Sequence, residues 1–200
     1  MRLFRSNKNK HSVFLSPYLL LTFTYLCWAG NSVFARGAAE TLPPMNLSFW
    51  RWSVTLIVLL PIGLVPAIVQ RELYYKHWRL ILLLALFGIV GFNVLLYHAV
   101  QYTTAIQFAL IVSAVPVGTV LVSWIVYREA ITPIMAVGMG IAFIGVVFII
   151  GRGDIESLFQ FDLNRGDLLA LVAVVCWSIY SVSLKALPKN INQIGFLFVV

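Results

Sequence analysis

The residues able to do chemistry in this sequence are polar or aromatic side chains inside long apolar runs. They are Asn31, Arg51, Asn93, Gln107 and Ser181, with Tyr97, His98, Tyr180, Trp28 and Trp177. No nucleophile stands beside a base, and no His, Cys, Asp or Glu set has metal-ligand spacing. The chemistry these groups suit is binding rather than bond-making, so no enzyme activity and no cofactor are expected.

Each residue carries two readings. Arg51 lies about 9 Å along its helix if the run begins near Met45, and an arginine at that depth marks a pathway or gate; between Trp50 and Trp52 it also fits snorkelling to the outer interface. Asn31, Asn93, Gln107 and Ser181 suit either substrate contact or hydrogen bonds between helices, because an unsatisfied polar group in hydrocarbon costs several kcal/mol. Trp28, Trp177, Tyr97 and Tyr180 suit either the wall of a central cavity or packing. His98 suits a titrating gate or an interfacial position. Pro116, like Pro61 and Pro66, is a candidate hinge.

The elements that must position these groups follow from composition. The chain has 200 residues, 61% hydrophobic and 10% charged, where soluble domains carry about 25% charged residues. A helix crosses a bilayer in about 20 apolar residues. Charge-free runs extend over Ser12–Ala35, Trp52–Gln70, Leu80–Tyr127, Ala130–Gly151 and Leu168–Leu184. The third would span roughly 72 Å as one helix, twice what is needed, so it must turn back, and its polar stretch Tyr97–Thr104 marks the turn. The fold expected is an all-α polytopic membrane protein with six complete transmembrane helices and the start of a seventh near Ile191.

A net charge of +7 would raise nucleic acid as a partner in a soluble chain. Here the basic residues fill gaps between apolar runs and report orientation instead. With the N-terminus cytoplasmic, only Arg36, Arg152 and Arg165 fall outside and Arg51 falls within a span. The other Lys and Arg residues fall inside, so the expected location is the cell inner membrane. Val33-Phe34-Ala35 resembles a signal-peptide cleavage site, but the preceding run is longer than a signal h-region.

The chain also carries an internal repeat. Leu19–Arg36 laid over Leu168–Lys185 aligns Leu19 with Leu168, Leu20 with Leu169, Cys27 with Cys176, Trp28 with Trp177, Ser32 with Ser181 and Val33 with Val182. Arg36 and Lys185 also correspond. An odd number of spans, five, separates the copies, so the second enters from the opposite side, as in transporters with inverted repeats. The expected organisation is a basic tail over 1–16, a first repeat over 17–151, an external loop over 152–166 and the start of a second repeat over 167–200. Two whole repeats imply a chain of roughly 300 residues, of which this one would be a fragment.

Further residues carry a family resemblance. They are Cys27-Trp28-Ala29-Gly30-Asn31, Trp50-Arg51-Trp52, Tyr97-His98-Ala99, Tyr102-Thr103-Thr104-Ala105, Ser113-Ala114-Val115-Pro116, Arg128-Glu129-Ala130, and the glycines from Gly138 to Gly145. In this order they resemble the EamA domain of the drug/metabolite transporter superfamily over residues 17 to 190. The resemblance implies a ten-helix exporter of small metabolites built from two five-helix repeats. Small multidrug-resistance relatives place a glutamate in the first helix for proton exchange, whereas no acidic residue is expected inside any span here. Glu129 is read as a helix terminator or interfacial ion-pair partner.

The function expected is export of amino acids or related small metabolites by alternating access, with a small-molecule substrate and the lipid bilayer as partners. Two other readings stand beside it: an incomplete fragment of such a carrier, and a polytopic membrane enzyme acting on lipids. Ala136, Gly138, Gly140, Ala142 and Gly145 would let another helix approach closely, within the chain or across a homodimer. Cys27 and Cys176 are expected as free thiols.

Overall fold

A computed structural model of the chain describes residues 17–38, 41–150 and 164–200. The basic tail and most of the acidic connection, with Arg152, Asp154, Glu156 and Asp162, lie outside the described residues. The described residues form helices: α1 (Pro17–Ala38), α2 (Pro44–Val69), the short α3 (Arg71–Lys76), α4 (Trp78–Tyr102), α5 (Ala105–Tyr127), α6 (Pro133–Ile150), α7 (Arg165–Ser183, with a 3₁₀ turn to Ala186) and α8 (Gln193–Val199). A helix therefore lies over each expected span. Among the described residues α2, α4, α5 and α7 with its 3₁₀ turn are long and apolar enough to cross a membrane.

Local chemistry sets the boundaries. Pro44 opens α2, where its missing N–H costs nothing. The turn inside the long third run is narrower than the polar stretch suggests: Tyr97 to Tyr102 stay helical and only Thr103 and Thr104 are extended. The Thr104 side chain accepts the Gln107 backbone N–H, capping α5. Asn164 and Asn192 cap α7 and α8 in the same way. Helix α5 is interrupted at Ser113 and Ala114, and its second segment opens at Val115 with Pro116 in the first turn.

Packing centres on α7, which lies along α4 and both halves of α5. Leu96, Tyr97, Ala99, Val100, Phe108, Ile111, Ala170, Ala173 and Val174 form one buried cluster there. Close approach depends on Gly118, because a Cβ there would overlap the Ser178 hydroxyl of α7, and on Gly88, where it would overlap the Tyr180 ring. A second cluster of Ala67, Tyr74, Ile81, Leu84 and Phe196 joins α8 to α2 and α4. By contrast, Cβ atoms at Gly138, Gly140 and Gly145 of α6 would meet open space.

The helix ends gather on two sides. On one, Arg36 donates to the Val100 carbonyl at 2.7 Å, Asn164 donates to the Tyr102 carbonyl, and Gln107 donates to Asp167 at 3.1 Å. On the other, Lys185 pairs with Glu129 at 2.9 Å and Gln70 bonds the backbone of Asn190 and Asn192. We call these the Arg36 side and the Lys185 side.

Candidate functional site

Between the two sides, α1, α2 and α4 bring four of the expected residues into one polar network. The Arg51 guanidinium donates to the Oδ1 of Asn31 at 3.2 Å and to the Oδ1 of Asn93. The Tyr97 hydroxyl donates to the same Asn31 oxygen at 3.1 Å. Asn93 is oriented by its own helix: residues 85–91 of α4 wind as a π-helix, and the Asn93 Nδ2 donates to the Ile89 carbonyl at 2.7 Å. That bond uses the amide nitrogen and turns the oxygen toward Arg51. Asn31 must likewise present oxygen, since a guanidinium has no acceptor.

The arginine also lies against two aromatic rings, its Cζ 4.8 Å from the Trp52 ring centroid and 5.5 Å from that of Tyr97. Both distances suit a cation over a π face. Arg51 is half-buried and held by side chains of α1 and α4.

One helical turn from Asn31 on α1, Trp28 begins an aromatic cluster. Its ring meets Trp177 of α7 edge-on at 5.4 Å, and Trp177 lies 4.7 Å from Phe92 and 5.0 Å from Tyr180. Phe92 and Asn93 are consecutive on α4, so the polar network and the aromatic cluster adjoin. The arrangement can grip a small molecule by one polar end and one flat apolar face. It offers hydrogen bonds and ring surface, without a paired acid and base.

Comparison with known proteins decides the family. The model described as the EamA-like transporter family matches residues 15–151. The chain belongs to that family. Its relatives include an uncharacterized transporter, YyaM, of Bacillus subtilis, 28% identical over 83% of this chain and 57% of the relative. An uncharacterized transporter of Archaeoglobus fulgidus is 29% identical over 82% of this chain and 56% of the relative. The GDP-mannose transporter GONST5 of Arabidopsis thaliana is 32% identical over a shorter stretch, 38% of this chain and 23% of the relative. The chain spans about half the length of the first two curated relatives. No solved structure matches.

This EamA-like chain is a multi-pass membrane protein of a transporter family, and the exposure of apolar residues such as Phe23, Ile57 and Val69 fits that environment. Among the described residues its other expected site residues make no hydrogen bond to the network. Gln107 is at the Arg36 side, bonded to Asp167. Pro116 is exposed at the restart of α5, while His98 and Ser181 are half-buried. Trp28, Asn31, Arg51, Asn93, Tyr97, Trp177 and Tyr180 come together.

Two features of the EamA-like chain escape the sequence reading. The expectation that spans lack acidic residues is corrected at Asp167: it lies in the first turn of α7 and is 1% exposed. A carboxylate there meets the positive end of the helix dipole and the Gln107 amide, which is why burial is tolerated. The preceding Gly166 is the available signal, since a Cβ there would stand 2.7 Å from the Ala99 carbonyl and keep the helices apart.

The second is at the Lys185 side. Glu129 pairs with Lys185 rather than with its neighbour Arg128, and Ser123 bonds both, accepting from the Lys185 Nζ at 3.0 Å and donating to the carboxylate. Arg128 adopts the left-handed conformation, φ 57°, which turns the chain so that Glu129 points back along α5. The Ser123 hydroxyl and then the Lys185 ammonium hold the Glu129 carboxyl below the usual glutamate range. Cys27 and Cys176 are free thiols.

Proposed function

We propose that this protein is an inner-membrane exporter of amino acids or related small metabolites, working by alternating access. The observation that carries the reading is the Arg51–Asn31–Asn93–Tyr97 network beside the Trp28–Trp177–Phe92–Tyr180 rings: the rings stand near the middle of α1, α4 and α7, and the network lies next to them toward the Arg36 side. A carrier needs a site near the membrane midplane, reachable in turn from each side.

In this reading the six spans run from a cytoplasmic N-terminus, and α1 and α7 are equivalent members of two inverted repeats. Meeting of the repeat-matched Trp28 and Trp177 supports that assignment, since a two-fold axis between repeats brings equivalent residues together. The Lys185 side is then cytoplasmic and the Arg36 side external. Contacts of Lys185 with Ser123 and Glu129, and of Arg36 with the end of α4, break and re-form as access alternates.

The test is efflux from cells loaded with a labelled panel of amino acids and small metabolites, comparing cells that express the full natural protein with cells that lack it. Faster efflux of at least one member is expected. Equal efflux across the panel would overturn the exporter reading.

A further inference from the structure

We infer that the Arg51 network receives the carboxylate of an amphipathic acid whose apolar body lies on the Trp28–Trp177 rings; this rests on the transport reading and names its substrate class. The first support is charge. Among the described residues no carboxylate lies within ion-pair distance of Arg51, and its hydrogen-bond acceptors are the neutral amide oxygens of Asn31 and Asn93. A half-buried cation in a transmembrane helix without an anion favours an anionic partner from outside the chain.

The second is donor and acceptor supply. A guanidinium has five N–H donors. Beside it the Tyr97 hydroxyl donates to Asn31, and the buried Trp52 indole N–H has no hydrogen-bond acceptor among the described residues. Donors exceed acceptors around Arg51, and a carboxylate, which only accepts, redresses that excess. An ammonium-bearing ligand without an acid would add donors and a like charge.

The third is spacing. Trp28 and Asn31 are three residues apart on α1, and Phe92 and Asn93 are consecutive on α4. The ring surface therefore begins about 5 Å from the polar network. An acid whose carboxylate is separated from a ring or branched chain by two or three bonds fits that distance.

The test uses the full natural protein, purified in detergent at neutral pH, with matched probes: 3-phenylpropionate and 3-phenylpropionamide, 4-methylpentanoate and its amide, and L-phenylalanine and its amide. Binding is followed by quenching of tryptophan fluorescence and by thermal stabilisation. At least one acid is expected to bind about tenfold or more tighter than its amide, a difference of about 1.4 kcal/mol. Arg51→Gln should abolish that preference, and Arg51→Lys, which keeps the charge, should retain part of it. Equal binding of acids and amides, preference surviving in Arg51→Gln, or failure of every acid to bind would overturn the inference. If cells still export a neutral or cationic member of the panel, the transport reading stands and the carboxylate assignment alone falls; absence of both export and binding overturns both.

Discussion

Trp28 of α1 and Trp177 of α7 meet edge to face, their ring centroids 5.4 Å apart and their planes at 88°. These are the residues that align when the first apolar helix is laid over the sixth. Edge-to-face pairs add about 0.5–1.5 kcal/mol beyond the area they bury. A double-mutant cycle of Trp28→Ala and Trp177→Ala, read by reversible unfolding in detergent, should return a coupling energy in that range. Strict additivity would place the rings in independent packing roles.

Asp167 and Gln107 bond at the Arg36 side, the carboxylate 1% exposed at the start of α7. Bonds to a buried charged group contribute about 1.5–3 kcal/mol. Asp167→Ala should lower stability by about that amount, and Gln107→Ala by less. Their effects should be non-additive when unfolding of the single and double variants is compared.

Much of this architecture is legible in the sequence, for identifiable reasons. Helices lie over the expected spans, four of them long and apolar enough to cross a membrane among the described residues, because hydrophobicity sustained over about 20 residues favours a membrane helix without reference to its neighbours. Asn31, Arg51, Asn93 and Tyr97 stand out because polar groups in apolar runs need partners. What stays hidden is partnership across long separations. Asp167 reads as one more acid in a charged connection, and its burial depends on the end of α4 coming close at Gly166 and on Gln107 of α5. Lys185 and Glu129 are each ordinary at the end of an apolar run; the fold brings them together. The π-helical stretch of α4 gives Asn93 its orientation through a backbone register that hydrophobic patterning does not report.

Gly118 and Ser178 mark a close approach of α5 to α7, with the Ser178 hydroxyl in the space a Cβ would need. Gly118→Ala should destabilise the protein by about 1–3 kcal/mol, the usual cost of overpacking. Ser178→Ala in the same chain should restore most of that loss, because it removes the overlapping atom. Thermal unfolding of the single and double variants decides the matter, and failure of the second substitution to rescue would shift the blame to the α5 backbone.

The Ser123–Glu129–Lys185 contact has a defined response to acid. Its carboxyl pKa is lowered by the Ser123 hydroxyl and by Lys185. The contact therefore adds stability above the unfolded glutamate pKa of roughly 4.3 and loses it as pH falls through the lower folded value. Between about pH 5 and 7 this pair should give no slope to stability. Unfolding midpoints measured from neutral pH down to about pH 3 should show an acid-side loss that Glu129→Gln reduces. An identical acid limb in Glu129→Gln would mean that other carboxylates govern it.

The central claim is that the polar network and the aromatic rings together form the transport site. Counterflow in proteoliposomes of the full natural protein tests it most directly, using whichever labelled metabolite loaded cells release. The wild-type protein should exchange that metabolite, while Asn93→Ala and Trp177→Ala should each slow exchange about tenfold or more, the effect of losing about 1.4 kcal/mol, with the variants still folded by thermal unfolding. Wild-type exchange that persists unchanged in both folded variants would contradict the account.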